Sequence, residues 1–173
     1  MRFTDFLKAT VLMSAGAATA LAAVTVAGAA GDDDPTVVLL ALGWWAVAGL
    51  YGALLGRHGE TSPPIAGLLA RARSETTLPE VQSSRILLNR LWPLLLSTLG
   101  AGALAFLAPQ IPAVACGFAI IWALAWRRQE SAVTAIEGRD GVRFYVEPTS
   151  PASAIKLVRT PGFKTDRPVA QRP

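Results

Sequence analysis

Charge is missing from most of this chain. Only 16% of its 173 residues are Asp, Glu, Lys or Arg, against about a quarter in soluble domains. Residues 9–31, 35–56 and 91–126 contain none. Cysteine and histidine occur once each, which excludes an internal disulfide and leaves no set of soft ligands for a metal. There is no Walker loop, dinucleotide fingerprint, H-E-x-x-H or CxxC, so the common nucleotide, metal and redox chemistries lack their usual residues. No cofactor is expected.

What is present is apolar. Hydrophobic residues make up 52% of the chain and the mean hydropathy is +0.41. A soluble protein this small has too little interior to hide such a surface. An ordinary cytosolic enzyme, a nucleic-acid binder and a disordered tail protein are therefore all excluded, and a membrane protein is expected.

A helix rises about 1.5 Å per residue and a hydrocarbon core is about 30 Å thick, so about 20 apolar residues cross once. Residues 9–30 and 36–56 fit one crossing each. The third uncharged stretch is too long for one helix and is broken by Pro109-Gln110-Ile111-Pro112. It reads as a hairpin of spans 86–108 and 111–128 around an outer turn at 109–112. The last span is short unless Arg127 and Arg128 reach up to the headgroups. A re-entrant hairpin is the competing arrangement. The expected class is an all-α integral membrane protein with four transmembrane helices in two hairpins, a short amphipathic helix at about 64–73, and a small β-hairpin-like tail.

The outer connections, 31–35 and 109–112, contain no Lys or Arg. Basic residues fall in the N-terminus 1–8, the loop 57–85 with the adjoining start of the third span, and the chain beyond Trp126, which includes the tail 129–173. The positive-inside rule then places those regions, and both termini, in the cytoplasm. Arg2 and Lys8 ahead of an apolar run and Ala27-Gly28-Ala29 also have the layout of a secretory signal peptide. The run is longer than such peptides carry, so a retained helix is expected. Thirteen arginines against three lysines, with abundant Ala and Gly, suggest a GC-rich bacterial genome and a bacterial plasma membrane.

The spans hold no charged side chain of the kind that marks ion or proton pathways. Small residues stand out instead. Gly52 and Gly56 form a G-x-x-x-G, with Gly49 and Ala53 as an adjoining small pair, a spacing that lets backbones approach closely. That face packs either within one bundle or against a second protomer. Trp92, Trp122 and Trp126 resemble an interfacial belt, while Trp44 and Trp45 lie well inside the second span, where helix packing or lipid contact is expected. Pro93 is expected to kink the third span, and Cys116 to be a small packing residue.

In the loop, Ile65, Leu68, Leu69 and Ala72 recur at helical spacing beside Arg71 and Arg73, as expected of a helix lying on an anionic inner leaflet. Thr77-Leu78-Pro79-Glu80 matches a capping box for the third span. His58 with Glu60, and the run Asp32-Asp33-Asp34, are weak metal signals; a solvated surface explains both. In the tail, Gly138 is expected to end a helix running from Gln129. Val142-Arg143-Phe144-Tyr145-Val146 then alternates as a strand, and Ile155 to Val158 supplies a second. Two strands are marginal alone, so Val142, Phe144, Tyr145, Val146, Ile155 and Leu157 are expected to dock on the bundle, on the membrane surface or on a protein partner, with a partner the most specific choice.

The sequence is thus read as a non-catalytic multi-pass membrane protein, a scaffold or accessory subunit engaging a partner through its tail. A small oligomeric channel or transporter is the alternative. Expected partners are anionic inner-leaflet lipids and a protein or a second copy of the chain; nucleic acid is not among them.

Overall fold

The computed structural model describes residues 1–30, 35–57, 59–75, 83–149 and 153–161. The expected capping box at 77–80, the acidic run 32–34 and His58 lie outside them. Helices α1 (Phe3–Ala29), α2 (Thr36–Leu55), α3 (Pro63–Ala70), α4 (Ser83–Ala103), α5 (Gln110–Trp126) and α6 (Gln129–Asp140) are joined by a three-stranded sheet. Its strands are β1 (Arg73–Ser74), β2 (Val142–Val146) and β3 (Leu157–Pro161). Among the described residues, four helical stretches are long and apolar enough to cross a membrane: Phe3–Ala29, Thr36–Leu55, Ser84–Phe106 and Gln110–Asp140.

α1 begins six residues before the expected span. Its first turns are not lipid-facing: Phe3, Phe6 and Leu7 enter a core that needs them. The buried stripe then continues through Thr10, Ser14, Ala17, Leu21 and Thr25. The three hydroxyls on that stripe donate to the carbonyls four residues back, at 2.9, 2.8 and 2.8 Å, so they enter the interior already satisfied. α5 is the central helix, packed along its length against both α1 and α2, with α4 more lightly attached. That position explains its composition: Ala113, Cys116, Gly117, Ala119 and Ala123 are all buried, and small side chains let it approach two neighbours at once. The outward faces carry Leu39, Leu50, Leu96, Leu99, Phe118 and, at 95% exposure, Phe106. Water would not tolerate such a surface; lipid favours it.

All the expected basic segments that are described gather at one end of the bundle. Arg128 donates to the Arg57 carbonyl at 2.7 Å, and the Ser62 N–H donates to Gln129 Oε1 at 2.9 Å. At the other end Gly28 lies beside Pro109, where an added Cβ would come within 3.5 Å of the proline ring.

The basic end carries a cap of which only a strand pair was expected. The sheet order is β1-β3-β2, with β1 parallel and β2 antiparallel to β3. Val142 faces Pro161 and Val146 faces Leu157 across the β2–β3 ladder. The N-terminus extends the sheet further: Arg2 bridges to Tyr145, and the Val146 N–H donates to the Met1 carbonyl at 3.0 Å. The helix expected over 64–73 ends at Ala70, and Arg73–Ser74 are strand. Ile65, Leu68, Leu69 and Ala72 pack on the cap core, so the apolar face read as lying on a leaflet is occupied by this chain. Gly138 does not stop the following helix. α6 runs on to Asp140 and ends at Gly141, whose φ of 63° is left-handed, a conformation glycine adopts without a Cβ clash.

Candidate functional site

The small-residue seam of α2 faces α5. A Cβ on Gly52 would lie 2.9 Å from Ile121 Cα, and one on Gly56 would lie 2.2 Å from the Leu124 carbonyl oxygen. Gly49 has open space where a Cβ would be, and Ala53 is only partly buried. Ala48, fully buried, takes the seam position that the spacing argument gave to Gly49. The same interface holds both deep tryptophans. Trp45 Nε1 donates to the Ala113 carbonyl at 2.8 Å and Trp44 Nε1 to the Val114 carbonyl at 3.2 Å. Gly117 makes room for the Trp44 ring: a Cβ there would fall 1.9 Å from Nε1. Cys116 Sγ donates to the Ala18 carbonyl at 3.3 Å as a buried packing group between α5 and α1.

In the cap, Phe144, Val146 and Leu157 are buried with Met1, Phe3, Phe6, Leu7, Ile65 and Val133. Val142 and Ile155 pack against the same cluster, partly buried. Tyr145 is half-buried on the other face of β2, in register with Val158 of β3. Strand alternation puts Arg143 and Lys156 on that outer face as well, and both are exposed.

Glu137 ties the cap together and carried no sequence signal. It is only 6% exposed; Oε1 accepts the Phe144 N–H at 2.9 Å and Oε2 accepts from Arg2 Nη2 at 3.1 Å. The carboxylate thus closes the free edge of β2 beside the Met1–Arg2 segment and joins it to α6. Lys8 and Glu130 add a second tie between α1 and α6 at 3.1 Å. Glu137→Gln keeps the shape and the acceptor but not the charge. With Arg2 partly solvated, the expected loss is about 1 kcal/mol, read as a lower unfolding midpoint with unchanged helix content.

Arg90, near the start of α4, is the other residue that spacing did not reveal. Its guanidinium reaches the tail, donating to Thr149 Oγ1 and to the carbonyls of Ser153 and Ala154. Two clefts meet at it. One, of about 340 Å³, is apolar and runs between the cap and the bundle past Phe6, Leu68, Leu91, Leu94 and Trp126. The other, of about 280 Å³, is polar and is lined by Arg85, Asn89, Glu147 and Thr149. Trp122 and Trp126 stack with ring centroids 5.3 Å apart on the wall of the apolar cleft. Among the described residues no three His, Cys, Asp or Glu side chains are grouped to hold a metal.

Comparison with protein-family models, curated proteins and solved structures finds no match. Function must therefore be argued from this geometry alone.

Proposed function

We propose that this chain is a non-catalytic, multi-pass protein of a bacterial plasma membrane, a scaffold or accessory subunit that engages a partner through its capped cytoplasmic end. The observation that carries the reading is the cap itself. The tail sheet turns its apolar face onto α1, α3 and α6 and so becomes a fixed platform, with Arg143, Tyr145 and Lys156 on its outer face. The gathering of the basic segments at that end, with the positive-inside rule, supports both termini in the cytoplasm. Packing of the Gly52–Gly56 face on α5 of the same chain supports this reading over an oligomeric pore.

Removing the tail is a poor test, because truncation would uncover the cap core and weaken the bundle as well. Arg143→Glu with Lys156→Glu changes only exposed side chains. The wild-type chain, extracted in mild detergent, is expected to carry a stoichiometric partner that the double variant loses at an unchanged unfolding midpoint. A homo-oligomer without other protein, conducting ions in proteoliposomes, would overturn the accessory reading in favour of a channel.

A further inference from the structure

We propose that the capped end binds one anionic phospholipid, with an acyl chain in the apolar cleft and the phosphate on Arg90 and Arg85. The inference rests on residence in a membrane and not on the accessory role. An amphiphile needs an apolar slot and a cationic polar slot side by side, and the two clefts supply that order with Arg90 on the wall of both. The apolar cleft, at about 340 Å³, lies within the range of roughly 300–1,000 Å³ usual for small-molecule cavities. Its walls include Phe6, Leu68, Leu91, Leu94 and Trp126, and among the described residues Arg90 is its one charged lining residue.

Charge complementarity decides between an anionic and a neutral lipid. Among the described residues, the hydrogen-bond partners of Arg90 are a hydroxyl and two carbonyls, which fix the guanidinium without neutralising it. The ion pairs among the described residues join Arg2 to Glu137, Lys8 to Glu130 and Arg139 to Asp140; neither Arg85 nor Arg90 takes part. Among the described residues, Glu147 is the one acidic side chain on the polar wall, against two arginines, so these residues together give the cleft a net positive charge. A guanidinium is suited to phosphate because its planar fork presents several N–H donors together.

The location suits a lipid entering sideways. Trp122 is about half exposed, at 49%, and marks the side of the cleft that opens towards the lipid-facing surface. Pro93 lies in the α4 wall. Having no N–H, it cannot satisfy the Asn89 carbonyl, and α4 is the most lightly packed of the long helices.

The tryptophans in the wall provide the readout. The full chain is reconstituted in phosphatidylcholine vesicles containing increasing fractions of phosphatidylglycerol with brominated acyl chains, and tryptophan quenching is followed. Quenching is expected to saturate at low mole fraction, well above that given by the same fraction of brominated phosphatidylcholine. Arg90→Gln is expected to weaken the apparent affinity roughly fivefold. Should that variant fail to fold, Arg85→Gln, on the exposed side of the polar cleft, carries the charge test. Leu94→Phe fills the apolar cleft and leaves both arginines, and is expected to reduce the quenching reached at saturation. Equal quenching by the two lipids in the wild type would overturn the proposal. So would competition by inorganic phosphate at equal potency, which would assign the arginines to a free anion. No partner protein is present in the experiment, so failure to capture a partner leaves its result untouched.

Discussion

Gly56→Ala is expected to destabilise the purified chain by about 3 kcal/mol, the upper range for overpacking, because the new methyl meets a helix backbone that cannot turn aside. Its Cβ would sit 2.2 Å from the Leu124 carbonyl oxygen, so α2 and α5 must separate or shift along each other. Gly52→Ala meets Ile121 Cα at 2.9 Å and is expected to cost somewhat less. Gly49→Ala provides the control. With nothing within 4 Å of the added methyl, it should be neutral or stabilise slightly, since alanine is favoured over glycine inside a helix by about 0.5–1 kcal/mol. Thermal unfolding in detergent, followed with the size of the detergent complex, checks the series. A change in oligomer size at Gly56→Ala with an unaltered unfolding midpoint would show that the face packs between copies of the chain.

Phe144→Ala should have a comparable effect at the other site. Phe144 is 3% exposed, at the centre of a core shared by α1, α3, α6 and the sheet, and truncating such a side chain costs about 3–5 kcal/mol. The cap should loosen while the spans stay helical, so the effect belongs in hydrogen exchange more than in far-ultraviolet dichroism. The Val146 amide, bonded to the Met1 carbonyl, and the Phe144 amide, bonded to Glu137, should exchange faster together. Arg143→Ala, one position away on the exposed face, should leave both protected. If the Phe144→Ala amides kept wild-type protection, the cap would not be one cooperative unit.

The four long apolar helices were legible because each carries a long run without charge, and Pro109 marked the break between α4 and α5, with Pro112 in the first turn of α5. The seam was legible at Gly52 and Gly56, where two glycines share a face. It was not legible at Gly117, a lone glycine whose reason is a tryptophan ring on another helix. The pairing of Trp44 and Trp45 with α5 carbonyls was hidden for the same cause, since both partners lie about 70 residues away. Strand β2 was visible in its alternation. β1 is two residues long and has no periodicity to detect, so its parallel pairing with β3 could only come from the folded chain. Glu137 looked like one more charge on a helix with a polar face. Its burial follows from the turn at Gly141, which folds β2 back alongside α6.

The bond between Met1 and Val146 also sets an order of events during synthesis. Met1 and Arg2 are made long before the strand they pair with, and β1 is made well before β3. The long apolar helices can form as they emerge, driven by local sequence. The cap depends on contacts of very large sequence separation and closes afterwards. Until then Phe3, Phe6 and Leu7 lack part of the cover that the sheet gives them. A chain stalled before Leu157 would therefore display a helical bundle whose capped end is still open and apolar.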